Sequence, residues 1–89
     1  MVSEKVTVKI RSGIHARTAV ALATIAGECE STVEILFEGK RINAKSILNL
    51  MSSEIKQYSE IEVRCEGMTE REDLKKIVNA IKDGLGEMK

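Results

Sequence analysis

Apolar residues along this chain switch between two spacings, and the switches divide it into seven short elements. Lys5–Ile10 alternates, with Val6, Val8 and Ile10 on one side, the period of a strand covered on one face. Ser12-Gly13 is a turn signal, and from Ala16 the spacing becomes three and four. Ala16, Ala19, Val20, Ala23 and Ala26 form an alanine-rich helical stripe, which Gly27 can terminate. Val33, Ile35 and Phe37 alternate again, Glu38-Gly39 makes a tight turn, and Lys40–Ala44 returns antiparallel with Ile42 inward. Ser46 is a good N-cap for a short helix over Ile47-Leu48-Asn49-Leu50-Met51. Ile61, Val63 and Cys65 then alternate against Glu60, Glu62, Arg64 and Glu66, a fourth strand with a charged, solvated outer face. After Gly67, Thr69-Glu70-Arg71-Glu72 reads as a capping box. It opens a helix whose stripe is Leu74, Ile77, Val78, Ile81 and Leu85 and which ends near Gly84 or Gly86. The order is βαββαβα. Strands and helices that each have one apolar face pack as an α+β two-layer sandwich, an antiparallel or mixed sheet with helices on one side.

With 89 residues the chain fills one domain, 1–89. A hydrophobic content of 43% is enough for a core, and 14 basic residues balance 14 acidic ones, which argues against disorder and against a nucleic-acid binder relying on positive charge. The two aromatic residues, Phe37 and Tyr58, cannot line a base-stacking sheet. No apolar stretch approaches the roughly 18–20 residues of a membrane span, and Met1-Val2-Ser3-Glu4-Lys5 lacks a signal core, so the expectation is a cytoplasmic protein without membrane insertion. Cys29 and Cys65 lack metal-ligand spacing and one histidine completes no zinc site, so the thiols read as reduced, with no metal and no cofactor. A balanced surface around one small core makes a monomer the default.

Chemistry concentrates in Ser12-Gly13-Ile14-His15-Ala16-Arg17-Thr18, which places the only histidine at a strand-to-helix junction. A helix N-terminus presents unpaired backbone N–H groups and partial positive charge, which suits an anion such as phosphate. The same positive end favours a neutral imidazole, and a neutral ring nitrogen can attack phosphorus. Arg17 offers a planar fork of donors to phosphoryl oxygens, and Gly13 permits the sharp entry into the helix. His15 and Arg17 are therefore the candidate catalytic pair, with Ser12, Ala16, Arg17 and Thr18 as phosphate ligands. Read on its own, a lone histidine is more often a cap, a surface residue or a satisfied core group than a nucleophile.

Gly13-Ile14-His15-Ala16-Arg17 resembles the phosphorylation motif of HPr, the histidine-containing phosphocarrier family of the bacterial phosphoenolpyruvate-dependent sugar phosphotransferase system. Gly39-Lys40-Arg41-Ile42-Asn43-Ala44-Lys45-Ser46-Ile47 followed by Met51-Ser52 is similar to the segment around that family's regulatory serine, and the resemblance spans essentially the whole chain. It implies a four-stranded antiparallel open-faced sandwich with three helices on one face. It also implies a carrier, not an enzyme, whose His15 takes a phosphoryl group on Nδ1 from Enzyme I and passes it to the EIIA domains of sugar permeases. Ser46 would be the target of an HPr kinase/phosphorylase, its product acting with a catabolite-control transcription regulator. On the short helix not all of Ile47, Leu48, Leu50 and Met51 can face inward, so an exposed patch is expected. Ile47, Leu48 and Met51 would dock Enzyme I and EIIA, with Leu50 inward.

The chain departs from the family pattern at Thr18, where proline is usual and where a hydroxyl adds a candidate phosphate donor. Asn49, Glu54 and Tyr58 stand where small residues, often glycine, are common, which bears on partner choice more than on fold. A related regulator keeps the fold and regulatory serine but lacks the active histidine, and His15 argues against that assignment. Beside the carrier stand a regulatory module acting through Ser46 and, with no second catalytic group visible, a small stand-alone enzyme as the weakest reading.

Overall fold

The computed structural model describes residues 1–87. Its elements are β1 (Val2–Thr7), α1 (Ala16–Gly27), β2 (Thr32–Phe37), β3 (Lys40–Asn43), α2 (Ile47–Met51), β4 (Glu60–Glu66) and α3 (Glu70–Lys82). The four strands form one antiparallel sheet in the order β1-β4-β2-β3, with Val6 opposite Ile61, Ile35 opposite Val63 and Ile42 opposite Ile35. Alternation sends Val6, Val33, Ile35, Phe37, Ile42, Ile61, Val63 and Cys65 into the core beneath the three helices. The other face carries Glu34, Arg64 and Glu62, with Arg41 paired to Glu34 at 3.1 Å.

Several boundaries differ from those the spacing suggests, each for a local reason. β1 ends at Thr7 because its partner β4 begins at Glu60; Val8 then bonds to the loop through Ser59, and Val8 and Ile10 stay buried outside the strand. The inward stripe of α1 is Thr18, Ala19, Leu22, Ala23 and Ala26, whereas Ala16 and Val20 are exposed. Thr69 does not cap α3 with its side chain: its hydroxyl donates to Asp73 at 2.7 Å instead, while Glu70 accepts the Gly67 N–H. Asp73, buried, also accepts the Ser31 N–H at 3.1 Å and so ties the start of β2 to α3.

The Glu38-Gly39 turn has positive φ at both residues, 51° and 79°, as a two-residue hairpin of right-handed strands requires. α3 closes at Lys82, short of the glycines. Its C-terminal turn, with Gly84 at φ 87° and Leu85 bonded back to the Ala80 carbonyl, seats Leu85 in the core and returns the chain toward the loop before α1. Edge strand β1 carries one charged residue, Glu4, on the helix-facing side between Val2 and Val6, within 3.8 Å of Lys82.

Candidate active site

The site is built on the bend from β1 into α1. Gly13, at φ 69°, packs its Cα directly against the backbone of Ile55 and Lys56, and the next amide, Ile14 N–H, donates to the Ile55 carbonyl at 2.9 Å. The loop after α2 thus fixes where α1 begins. His15 is the N-cap, extended in backbone conformation, and its ring Nδ1 accepts the Arg17 N–H at 3.4 Å. Its side chain is 40% exposed and that of Arg17 is 82% exposed, so both can be reached from outside.

Thr18 holds this bend from inside. Its side chain is fully buried, its hydroxyl donates to the Gly13 carbonyl at 2.9 Å, and it accepts the His15 N–H at 3.0 Å. The expectation of a phosphate-donating Thr18 hydroxyl is therefore corrected: its bonds, including a longer one to the His15 carbonyl at 3.4 Å, are all internal, and they brace the turn where proline would have stiffened it. Ala16 stands exposed at the first helical position.

One site residue escaped the sequence reading. The Glu87 carboxylate lies over the bend, accepting the Ser12 hydroxyl at 2.8 Å, meeting His15 Nε2 at 3.3 Å and approaching Arg17 Nε at 3.8 Å. The Ser12 hydroxyl first, and His15 after it, hold the Glu87 carboxyl below the usual carboxylate range. No spacing could have revealed a pair 72 residues apart; the only trace was the Gly84 and Gly86 pair that lets the chain turn back.

Ser46 caps α2, its hydroxyl accepting the Asn49 N–H at 3.1 Å. Leu50 is fully buried, while Ile47, Leu48 and Met51 are 40%, 77% and 46% exposed, which is the division that one short helix imposes on four apolar residues. α2 packs against α1, so this apolar surface belongs to the element beside the histidine helix. Glu54 and Tyr58 take left-handed backbone, φ 61° and 73°, which accounts for small residues at such positions; Asn49 sits in ordinary helix. Among the described residues no three His, Cys, Asp or Glu side chains converge as metal ligands.

A family model described as the PTS HPr component phosphorylation site matches residues 2–83. The chain belongs to the PTS HPr family. Among HPr relatives, it is 34% identical to the HPr-like protein Crh of Bacillus subtilis, over 93% of this chain and 98% of that protein. An HPr structure from Thermoanaerobacter tengcongensis superposes with a TM-score of 0.93 at 30% identity, covering both chains completely. The crystal structure of B. subtilis Crh, a domain-swapped intertwined dimer, superposes at 0.76 with 34% identity over 93% of this chain and 95% of that one. The HPr fold and its βαββαβα order are thus shared throughout, and the chain is a phosphocarrier or an HPr-like regulatory protein.

Proposed function

We propose that this HPr chain is a phosphocarrier whose His15 accepts a phosphoryl group on Nδ1 from phospho-Enzyme I and delivers it to EIIA domains of sugar permeases. The observation that carries this reading is the solvent-accessible His15 ring at the N-cap of α1, its Nδ1 directed at the Arg17 amide, with a solvent-facing Arg17 side chain beside it. A phosphoryl group on that nitrogen would meet the positive helix end and the guanidinium, enough to stabilise it and open enough to release it. Ala16, Arg17 and the Thr18 backbone are the phosphate-binding elements of this reading, and Ser12 joins them only by releasing the Glu87 carboxylate to which its hydroxyl donates. Ile47, Leu48 and Met51 form the docking patch for both partners. The protein works in the cytoplasm as a monomer; the dimer of its relative Crh makes the oligomeric state worth measuring by light scattering.

The matches to Crh favour a second reading, a regulatory module acting through Ser46 with little carrier activity. Ser46 phosphorylated by an HPr kinase/phosphorylase would put nearly two negative charges beside the docking patch.

The deciding experiment is intact mass after incubation with Enzyme I and phosphoenolpyruvate, with His15→Ala alongside. One acid-labile phosphoryl group that depends on His15 is the expected result. A folded protein that stays unmodified with active Enzyme I would leave the regulatory reading.

A further inference from the structure

The two ring nitrogens of His15 face opposite kinds of partner. Nδ1 lies against the Arg17 N–H at 3.4 Å, and a nitrogen that accepts an N–H must present its lone pair. Nε2 lies 3.3 Å from a Glu87 carboxylate oxygen, and beside a carboxylate the ring nitrogen that carries the proton is the one that bonds. Two independent contacts thus specify one tautomer, and a doubly protonated ring in this orientation would set the Nδ1 proton against the Arg17 N–H.

The carboxylate is itself held. Ser12 donates to the same oxygen that faces Nε2, at 2.8 Å, and the other oxygen lies 3.8 Å from Arg17 Nε. Ser12 sits before the bend and Glu87 after the α3 turn, so two segments 75 positions apart converge at the Nε2 edge of the ring. Nothing in the transfer chemistry so far described uses this contact.

We propose that Glu87, braced by Ser12, is a positioning residue that keeps the His15 proton on Nε2 and leaves Nδ1 as the phosphoryl acceptor. The proposal deepens the phosphocarrier reading and rests on it. In the step itself the Nδ1 lone pair forms the new N–P bond as the N–P bond of the donor phosphohistidine breaks. The electron pair of the broken bond returns to the donor nitrogen, and the proton remains on Nε2. The ring gains positive charge as it does so, and the adjacent carboxylate compensates that charge without entering the reaction, the logic by which a carboxylate orients histidine in hydrolytic triads.

The test compares the full chain with Glu87→Ala and Glu87→Gln, changes at a side chain that is 20% exposed and outside the core. Ring nitrogen NMR at a pH where His15 is neutral reads the tautomer directly. Phosphorylation by Enzyme I and phosphoenolpyruvate reads the consequence. Glu87→Ala should raise the Nδ1–H fraction about threefold or more and slow phosphorylation about tenfold, the size of outer-shell effects on histidines that act as ligands. Glu87→Gln, whose amide oxygen still accepts the Nε2 proton, should restore most of the tautomer ratio. An unchanged ratio in Glu87→Ala, or an altered ratio with an unchanged rate, overturns the assignment of Glu87 while leaving the carrier intact. A wild-type protein that Enzyme I does not phosphorylate overturns the carrier reading and with it the acceptor role given to Nδ1.

Discussion

Gly13 and Ile55 are in backbone contact: a Cβ built on Gly13 would fall 2.4 Å from the Ile55 carbonyl oxygen and 2.8 Å from Lys56 Cα. The approach joins the bend that carries His15 to the loop that follows the Ser46 helix. Gly13→Ala adds both this collision and a side chain at φ 69°, and is expected to lower stability by about 2–4 kcal/mol. Chemical denaturation of the two proteins measures it, and a loss below about 0.5 kcal/mol would mean that the loop yields freely.

Arg17→Ala should leave stability within about 0.5 kcal/mol of wild type, because its side chain is 82% exposed and among the described residues makes only a long ionic contact, to Glu87. Phosphoryl transfer should slow about 10- to 100-fold, as loss of one charge-stabilising donor does elsewhere. Unchanged rates with both Enzyme I and EIIA would remove Arg17 from the mechanism.

Ser46→Ala removes the acceptor for the Asn49 N–H, for an expected loss of about 1 kcal/mol in denaturant unfolding. Ser46→Asp keeps a capping oxygen and should hold the fold while slowing acceptance from Enzyme I through added negative charge beside Ile47, Leu48 and Met51. Wild-type kinetics in Ser46→Asp would contradict this.

Glu54→Gly and Tyr58→Gly should each raise stability by about 0.5–1 kcal/mol, since both native residues hold positive φ on exposed loop positions. Thermal melts should move upward by several degrees, about 4–8 °C per kcal/mol for a domain of this size. A fall in melting temperature would show that the side chains, not the backbone, govern this loop.

Asp73 governs part of the acid response. The Ser31 hydroxyl, beside the carboxylate but without a partner in hydrogen-bonding geometry, acts with the Thr69 hydroxyl and the Ser31 amide to hold the Asp73 carboxyl below its usual range, against the opposing effect of burial. A folded value below the unfolded one, about 3.9, means that this contribution is complete above the unfolded value and is lost as pH falls through the folded one. The stability advantage of wild type over Asp73→Asn should therefore be constant from neutrality to about pH 5 and shrink below about pH 4. Urea midpoints across that range provide the check, and a difference that is flat to pH 2 would refute it.

Most of the architecture was legible because period decides it: alternation at Val33, Ile35 and Phe37, or at Ile61, Val63 and Cys65, leaves one face to bury. Where the reading slipped, tertiary contacts had replaced local rules. Val20 lies in helical spacing with Ala16 and Ala23 but outside the inward arc that Leu22 and Thr18 share. Thr69 spends its hydroxyl on Asp73, a partner that the capping-box pattern does not specify. The His15 bend was legible because Gly13, His15 and Arg17 lie within five residues. Glu87 was not, because a side chain brought over the bend by the α3 turn leaves no local pattern.

The Glu4–Lys82 contact adds little to the folded monomer, since both side chains are largely in water, 47% and 58% exposed. Its effect is on encounters between molecules. β1 is a sheet edge with unpaired backbone groups on its free side, and Glu4 points inward at the middle of that edge, so an incoming strand would have to bury a charge to extend the sheet there. The opposite edge, β3, is four residues long and opens with Lys40-Arg41. Both margins therefore discourage edge-to-edge joining of sheets, which matters for a protein that also leaves Ile47, Leu48 and Met51 exposed on α2.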